Sequence, residues 1–186
     1  MSSLALTEPL LQPVESRFVM FPVKGNDVWD LYKESIDCFW KAEEIDLSRD
    51  YVDWMKLTVD EKYFTKMVLA FFASSDGIII ENLVSRFTVE IQSSEMRAFY
   101  SFQHFMENVH SETYSLLIDT YIKDSDEKYR MLDAIQYYPC IKRRTDWARK
   151  WIGDENSSFA TRLVSFAIVE GLFFSYSFAS IFWIKK

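Results

Sequence analysis

The chain has 186 residues, 49% hydrophobic and 26% charged, which suits one folded domain and argues against a disordered chain. Its net charge of −7 argues against a nucleic-acid-binding module. Aromatics reach 17% against only four Gly and four Pro, so long helices are expected rather than a turn-rich β fold.

Residues 1–26 hold three of the four prolines and read as an extended arm over the domain. The N-terminus has no basic region before an apolar core, so no secretory signal is expected and a cytoplasmic location follows. Asp27 is placed to cap a helix in which Val28, Leu31, Tyr32, Ser35, Ile36, Phe39 and Trp40 recur at helical spacing. The polar run 41–50 is a connection. Thr58-x-x-Glu61 is a capping-box signature opening a helix over about 59–86. A long aromatic helix is expected over about 89–122, ended by Asp124-Ser-Asp-Glu. Shorter helices follow over about 126–137 and 141–152, parted near Pro139, and a last one runs from about 158. Cys38 and Cys140 are expected to be buried and unpaired. The result is an all-α bundle in a single domain, 1–186.

The span 163–184 is long enough to cross a bilayer, but Glu170 and four serines interrupt it. It reads as a buried core helix with one functional carboxylate, and no membrane partner is expected.

Three acids stand where apolar residues belong: Asp76 within Val68–Ile80, Glu107 within Phe102–His110, and Glu170 within Phe166–Phe174. Unpaired buried carboxylates are costly, so they are neutralised, ion-paired or metal-bound. Lys66, Arg97 and Arg162 are the cations that precede them in sequence. Glu107 and His110 lie three apart, and Tyr114 four further on, so all three share one helix face. Glu-x-x-His facing into a bundle is an element of di-iron carboxylate sites, and carboxylate with imidazole suits iron or manganese. His104 is read as a packing residue, and Glu81, Glu90, Glu95 and Glu112 as ion-paired or solvated.

Four segments carry a resemblance: Phe39-Trp-Lys-Ala-Glu-Glu-Ile-Asp-Leu-Ser-Arg-Asp50, Ala70-Phe-Phe-Ala-Ser-Ser-Asp-Gly-Ile-Ile-Ile-Glu-Asn-Leu83, Met106-Glu-Asn-Val-His-Ser-Glu-Thr-Tyr-Ser-Leu-Leu-Ile-Asp119 and Val169-Glu-Gly-Leu-Phe-Phe-Ser-Tyr-Ser-Phe-Ala-Ser-Ile-Phe-Trp183. In this order and spacing they resemble the small, radical-generating subunit of class I ribonucleotide reductase. The resemblance implies a ferritin-like bundle holding two iron ions, manganese being the alternative metal. Asp76, Glu107 and His110 would bind the first ion, and Glu107 and Glu170 the second. Tyr114 would be oxidised to a stable radical, shielded by Phe174 and Phe178. Trp40 would carry the oxidising equivalent toward a large catalytic subunit that makes deoxyribonucleotides. A homodimer is implied as well.

The family's second Glu-x-x-His has no counterpart, since His104 and His110 are the only histidines and 16 residues follow Glu170. A fragment of a longer protein is therefore expected, with incomplete iron binding, no lasting radical and apolar faces left exposed. Two other readings remain: a different di-iron oxidase or store on the same bundle, and a catalytically incomplete remnant with a regulatory or interaction role.

Overall fold

The computed structural model describes residues 8–14 and 18–184. Among these, ten α-helices and no strands occur. Helix α1 is Asn26–Asp37, α2 is Asp50–Lys56 and α3 is Val59–Asn82. A π-helical stretch, Leu83–Phe87, leads into α4, Thr88–Glu90. Helix α5 is Ser94–Tyr121, α6 Ser125–Leu132, α7 Ala134–Tyr137 and α8 Pro139–Ile152. Helix α9, Phe159–Ile168, passes through a second π-helical stretch, Val169–Phe174, into α10, Ser175–Ile184.

Local chemistry sets most boundaries. The Thr58 side chain accepts from the Glu61 amide while Glu61 accepts from the Thr58 amide, so the capping box at α3 forms in full. Ser93, Asp124 and Ser158 cap α5, α6 and α9 in the same way, each accepting an amide hydrogen bond from three residues on. Ser93 and the extended Ile91 explain why the aromatic helix begins at Ser94 rather than near 89. Asp27 does not cap α1. Gly25 precedes that helix, and Asp27 sits in its first turn, where its charge still favours the amino end. The polar stretch 41–50 contains a 3-10 turn, Ala42–Glu44, and α2 opens at its last residue.

The core lies between α3 and α5, which pack against each other more extensively than any other pair. Phe72, Ile79 and Ile118 are fully buried there, and Leu83, Phe87, Ile91 and Met131 extend the core beyond these two helices. Residues 1–7 and 15–17 of the expected arm lie outside the described residues. The rest of the arm is laid over the domain. Leu10 and Leu11 pack on the core, and the Leu10 carbonyl accepts from the Gln92 amide at 2.9 Å. Glu95 is not solvated or ion-paired. It is buried and accepts from the Lys24 and Gly25 amides at 2.7 and 3.3 Å, clasping the arm to the start of α5. Both cysteines are exposed, against expectation, because each sits at a helix end: Cys38 follows α1 and Cys140 is the second residue of α8.

Among the described residues, two helical stretches are long and apolar enough to cross a membrane. Val59–Glu90 is largely buried, as a core helix is. Phe159–Ile184 is not, with 17% of its apolar window covered. Val169, Phe174 and Ser177 face inward, while Leu172, Tyr176, Phe182 and Trp183 are exposed. The expected core helix is therefore buried on one side only, and apolar faces do lie open.

Candidate metal centre

Asp76 is fully buried in the middle of α3, and neither carboxylate oxygen has a hydrogen-bond partner among the described residues. Glu107 is buried on α5, where its Oε2 lies 3.1 Å from Nδ1 of His110. That contact follows from their three-residue spacing on one helix face. Glu170 comes from the π-helical stretch between α9 and α10. The wider turn there breaks the 3.6-residue period, a device frequent at functional sites. Its Oε1 accepts from Nε2 of Gln103 at 3.0 Å, so α5 supplies a polar anchor for Glu170 as well as Glu107 and His110.

Electrostatics ties the three acids together. Burial is the main cause that raises the Asp76 carboxyl from 3.8 to about 9, with the charges of Glu107 and Glu170 adding to it. Burial likewise lifts Glu170 from 4.5 to about 8, helped by Glu107 and opposed by the Gln103 hydrogen bond. Among the described residues no neighbouring cation relieves them. Lys66 pairs with Glu127 at 2.6 Å, Arg162 forks onto Glu90, and Arg97 donates to the Thr88 carbonyl at 3.1 Å. Among the described residues no Lys or Arg forms an ion pair with Asp76, Glu107 or Glu170. A buried, orphaned carboxylate beside two further acids and an imidazole is a hard donor set that fits iron or manganese. The side chains are not drawn into a finished shell: among the described residues no three His, Cys, Asp or Glu converge closely enough to grip an ion as they stand.

Tyr114 follows one helical turn after His110. Its ring stacks on Phe72 at 4.8 Å, and Phe72 in turn stacks on Phe174 and Phe178 at 5.5 and 4.6 Å. Burial, then the three carboxylates, pushes the phenol well above its usual range, so it stays protonated. Phe174 is buried, whereas Phe178 keeps 41% of its surface exposed and closes the pocket only in part. Trp40 lies against His110 with ring centres 5.7 Å apart. Trp40, Glu107, His110, Tyr114, Glu170, Phe174 and Phe178 all line one cavity of about 290 Å³. Asp76 is not among the residues that line it. His104 makes no side-chain bond to the cluster, its carbonyl accepting from Asn108. Gln103 was not foreseen; its offset of four residues before Glu107 is the signal that could have found it.

Residues 17–186 match the family described as ribonucleotide reductase, small chain. The ribonucleoside-diphosphate reductase small chain of swinepox virus (strain Kasza) is 60% identical over 179 residues, covering 96% of this chain and 65% of that one. The vaccinia virus (strain Western Reserve) small chain is 58% identical over 179 residues, covering 96% of this chain and 56% of that one. The chain thus spans between about half and two thirds of the length of these curated relatives. Among solved structures, the ribonucleotide reductase Rnr4 homodimer of Saccharomyces cerevisiae aligns with a TM-score of 0.82 at 38% identity, over 94% of this chain and 55% of that one. The dimanganese(II)-NrdF of Streptococcus sanguinis, at 20% identity and a TM-score of 0.72, shares the fold over 90% of this chain and 56% of that one. The clustered acids on α3, α5 and the π turn, the tyrosine beside them and these matches agree: the chain belongs to the ribonucleotide reductase small-chain family.

Proposed function

We propose that this chain is part of the radical-generating small subunit of a ribonucleoside-diphosphate reductase, working with a large catalytic subunit and pairing as a homodimer. The observation that carries the reading is Asp76: fully buried, without a hydrogen-bond partner, and beside Glu107 and Glu170, with the nearby cations bound elsewhere. Asp76, Glu107 and His110 would hold one metal ion, and Glu107 and Glu170 a second, iron being favoured and manganese the alternative. Bound metal would supply the oxidising chemistry with dioxygen.

The chain's own residues do the rest. Gln103 keeps Glu170 turned toward α5. Tyr114, held protonated beside the three carboxylates, is the residue that would be oxidised to the stored radical, its electron going to the oxidant the metal and dioxygen supply and its phenol proton leaving into the cavity it lines. Phe72, Phe174 and Phe178 crowd its ring on one side and hold off quenching partners there. Trp40, against the His110 ring, passes the oxidising equivalent outward to the large subunit.

Metal stoichiometry after anaerobic loading, followed by freeze-quenched electron paramagnetic resonance on exposure to oxygen, tests this. Tyr114→Phe should bind as much metal as the wild type and show no tyrosyl signal. Asp76→Asn should lose metal. An undiminished tyrosyl signal in Tyr114→Phe, or full metal uptake in Asp76→Asn, would overturn the reading.

A further inference from the structure

A second aromatic group sits on α5 beyond the site described. Tyr121 lies seven residues after Tyr114, roughly 10.5 Å along the axis and about 20° around it, so both occupy the same side of the helix. The Tyr121 hydroxyl donates to Oδ2 of Asp50 at 2.8 Å. Its ring is stacked on Trp54, with centroids 5.0 Å apart and planes 11° apart. Trp54 is buried, and all three residues line a cleft of about 420 Å³ with Asp53, Leu57 and Thr65. None of them belongs to the cavity around Tyr114. A tyrosine is hard to oxidise unless its proton can leave with the electron. Here a carboxylate is already bonded to the phenol, and an indole lies face to face with the ring. Burial and Asp50 hold the phenol above its ordinary range, so it keeps its proton until an electron is removed.

We propose that Tyr121, Asp50 and Trp54 form a second oxidisable group that drains the oxidising equivalent from Tyr114 toward the cleft when it is not delivered to the partner subunit. This rests on the reading of Tyr114 as the oxidised residue. One electron passes from Tyr121 to the Tyr114 phenoxyl radical. The Tyr121 O–H bond breaks and its proton moves to Asp50, while Tyr114 regains its O–H with a proton from solvent entering the cavity it lines. Trp54 then returns an electron to Tyr121, and Asp50 returns the proton. The oxidised Trp54 is reduced at the cleft by a soluble thiol, which gives up one electron and one proton and becomes a thiyl radical.

Two arms test it on the full chain. In the first, the metal-free chain is oxidised by flash photolysis of ruthenium tris-bipyridine with persulfate and frozen for electron paramagnetic resonance. A tyrosyl signal should appear, and Tyr121→Phe should remove a distinct share of it, the remainder coming from exposed tyrosines such as Tyr63, Tyr129 and Tyr176. Asp50→Asn keeps the shape but not the base, and should lower that share by about tenfold or more, the scale of a lost proton acceptor. Unchanged helix content by circular dichroism confirms that both variants fold. Equal signals in wild type, Tyr121→Phe and Asp50→Asn would overturn the proposal.

In the second arm, the chain is loaded with ferrous iron and given oxygen in the presence of 2-mercaptoethanol as the soluble thiol. Tyr121→Phe should lengthen the life of the transient Tyr114 signal about tenfold. A Tyr114 signal with the same lifetime in both chains overturns the drain and leaves Tyr114 standing. No Tyr114 signal in any chain overturns the reading of Tyr114, and the drain with it, even where photolysis oxidises Tyr121.

Discussion

Replacing Asp76 with Asn should make the metal-free protein more stable. The Asp76 carboxyl titrates near 3.8 when unfolded and about 9 in the fold. The folded value is the higher, so the protonated acid's favourable contribution is complete below pH 3.8 and is lost as pH rises toward 9. At about 1.4 kcal/mol per pH unit, the loss reaches about 4 kcal/mol at pH 7, a large share of the roughly 5–15 kcal/mol that holds a domain together. Glu170, at about 8 against 4.5, adds a second loss of about 3 kcal/mol over the same range. With chelator present, urea unfolding followed by circular dichroism should show wild-type stability falling from pH 5 to 8 by up to about 3 kcal/mol per pH unit. Asp76→Asn should fall about half as steeply, since only Glu170 then titrates, and should exceed the wild type by about 2–4 kcal/mol at pH 7. Added manganese(II) should stabilise the wild type, by mass action on the folded form, and not the variant. Wild-type stability that is flat or rises between pH 5 and 8, with the same slope in Asp76→Asn, would refute the reasoning.

Phe72 is fully buried and carries Tyr114, Phe174 and Phe178 on its ring, so Phe72→Ala should cost about 3–5 kcal/mol in urea unfolding and shorten any Tyr114 radical. Glu95 is held down to about 2, chiefly by the Lys24 amide, so its contribution is present above pH 4.5 and disappears as pH falls toward 2. Glu95→Gln should therefore be less stable than wild type at pH 6, with the gap closing as the pH drops; a constant gap in acid unfolding curves would count against the clasp. Thr58→Ala removes one half of the capping box and should lower unfolding stability by about 1 kcal/mol.

Local features were legible in the residues themselves. The capping box at Thr58 and the shared face of Glu107, His110 and Tyr114 depend on spacing over one or two helical turns, which the sequence encodes directly. The presence of Asp76, Glu107 and Glu170 among large apolar neighbours was likewise visible, and it pointed to the same site. The partners of these groups were not visible. Lys66 and Arg162 precede buried acids in sequence yet pair with Glu127 and Glu90, 61 and 72 residues away. Gln103 reaches Glu170 across 67 residues, and Glu95 reaches the arm across 71. Hydropathy alone does not mark the π turns at Leu83–Phe87 and Val169–Phe174, because one extra residue per turn rotates a face without changing composition. Nor does it separate the covered side of α10 from the open side bearing Phe182 and Trp183. Sequence alone therefore determined the long helices and which acids are anomalous, since both follow from local backbone bonding and the cost of burying charge. Tertiary structure decided which charges meet, which cysteines are exposed and how Tyr114 is enclosed, because those depend on how distant helices pack.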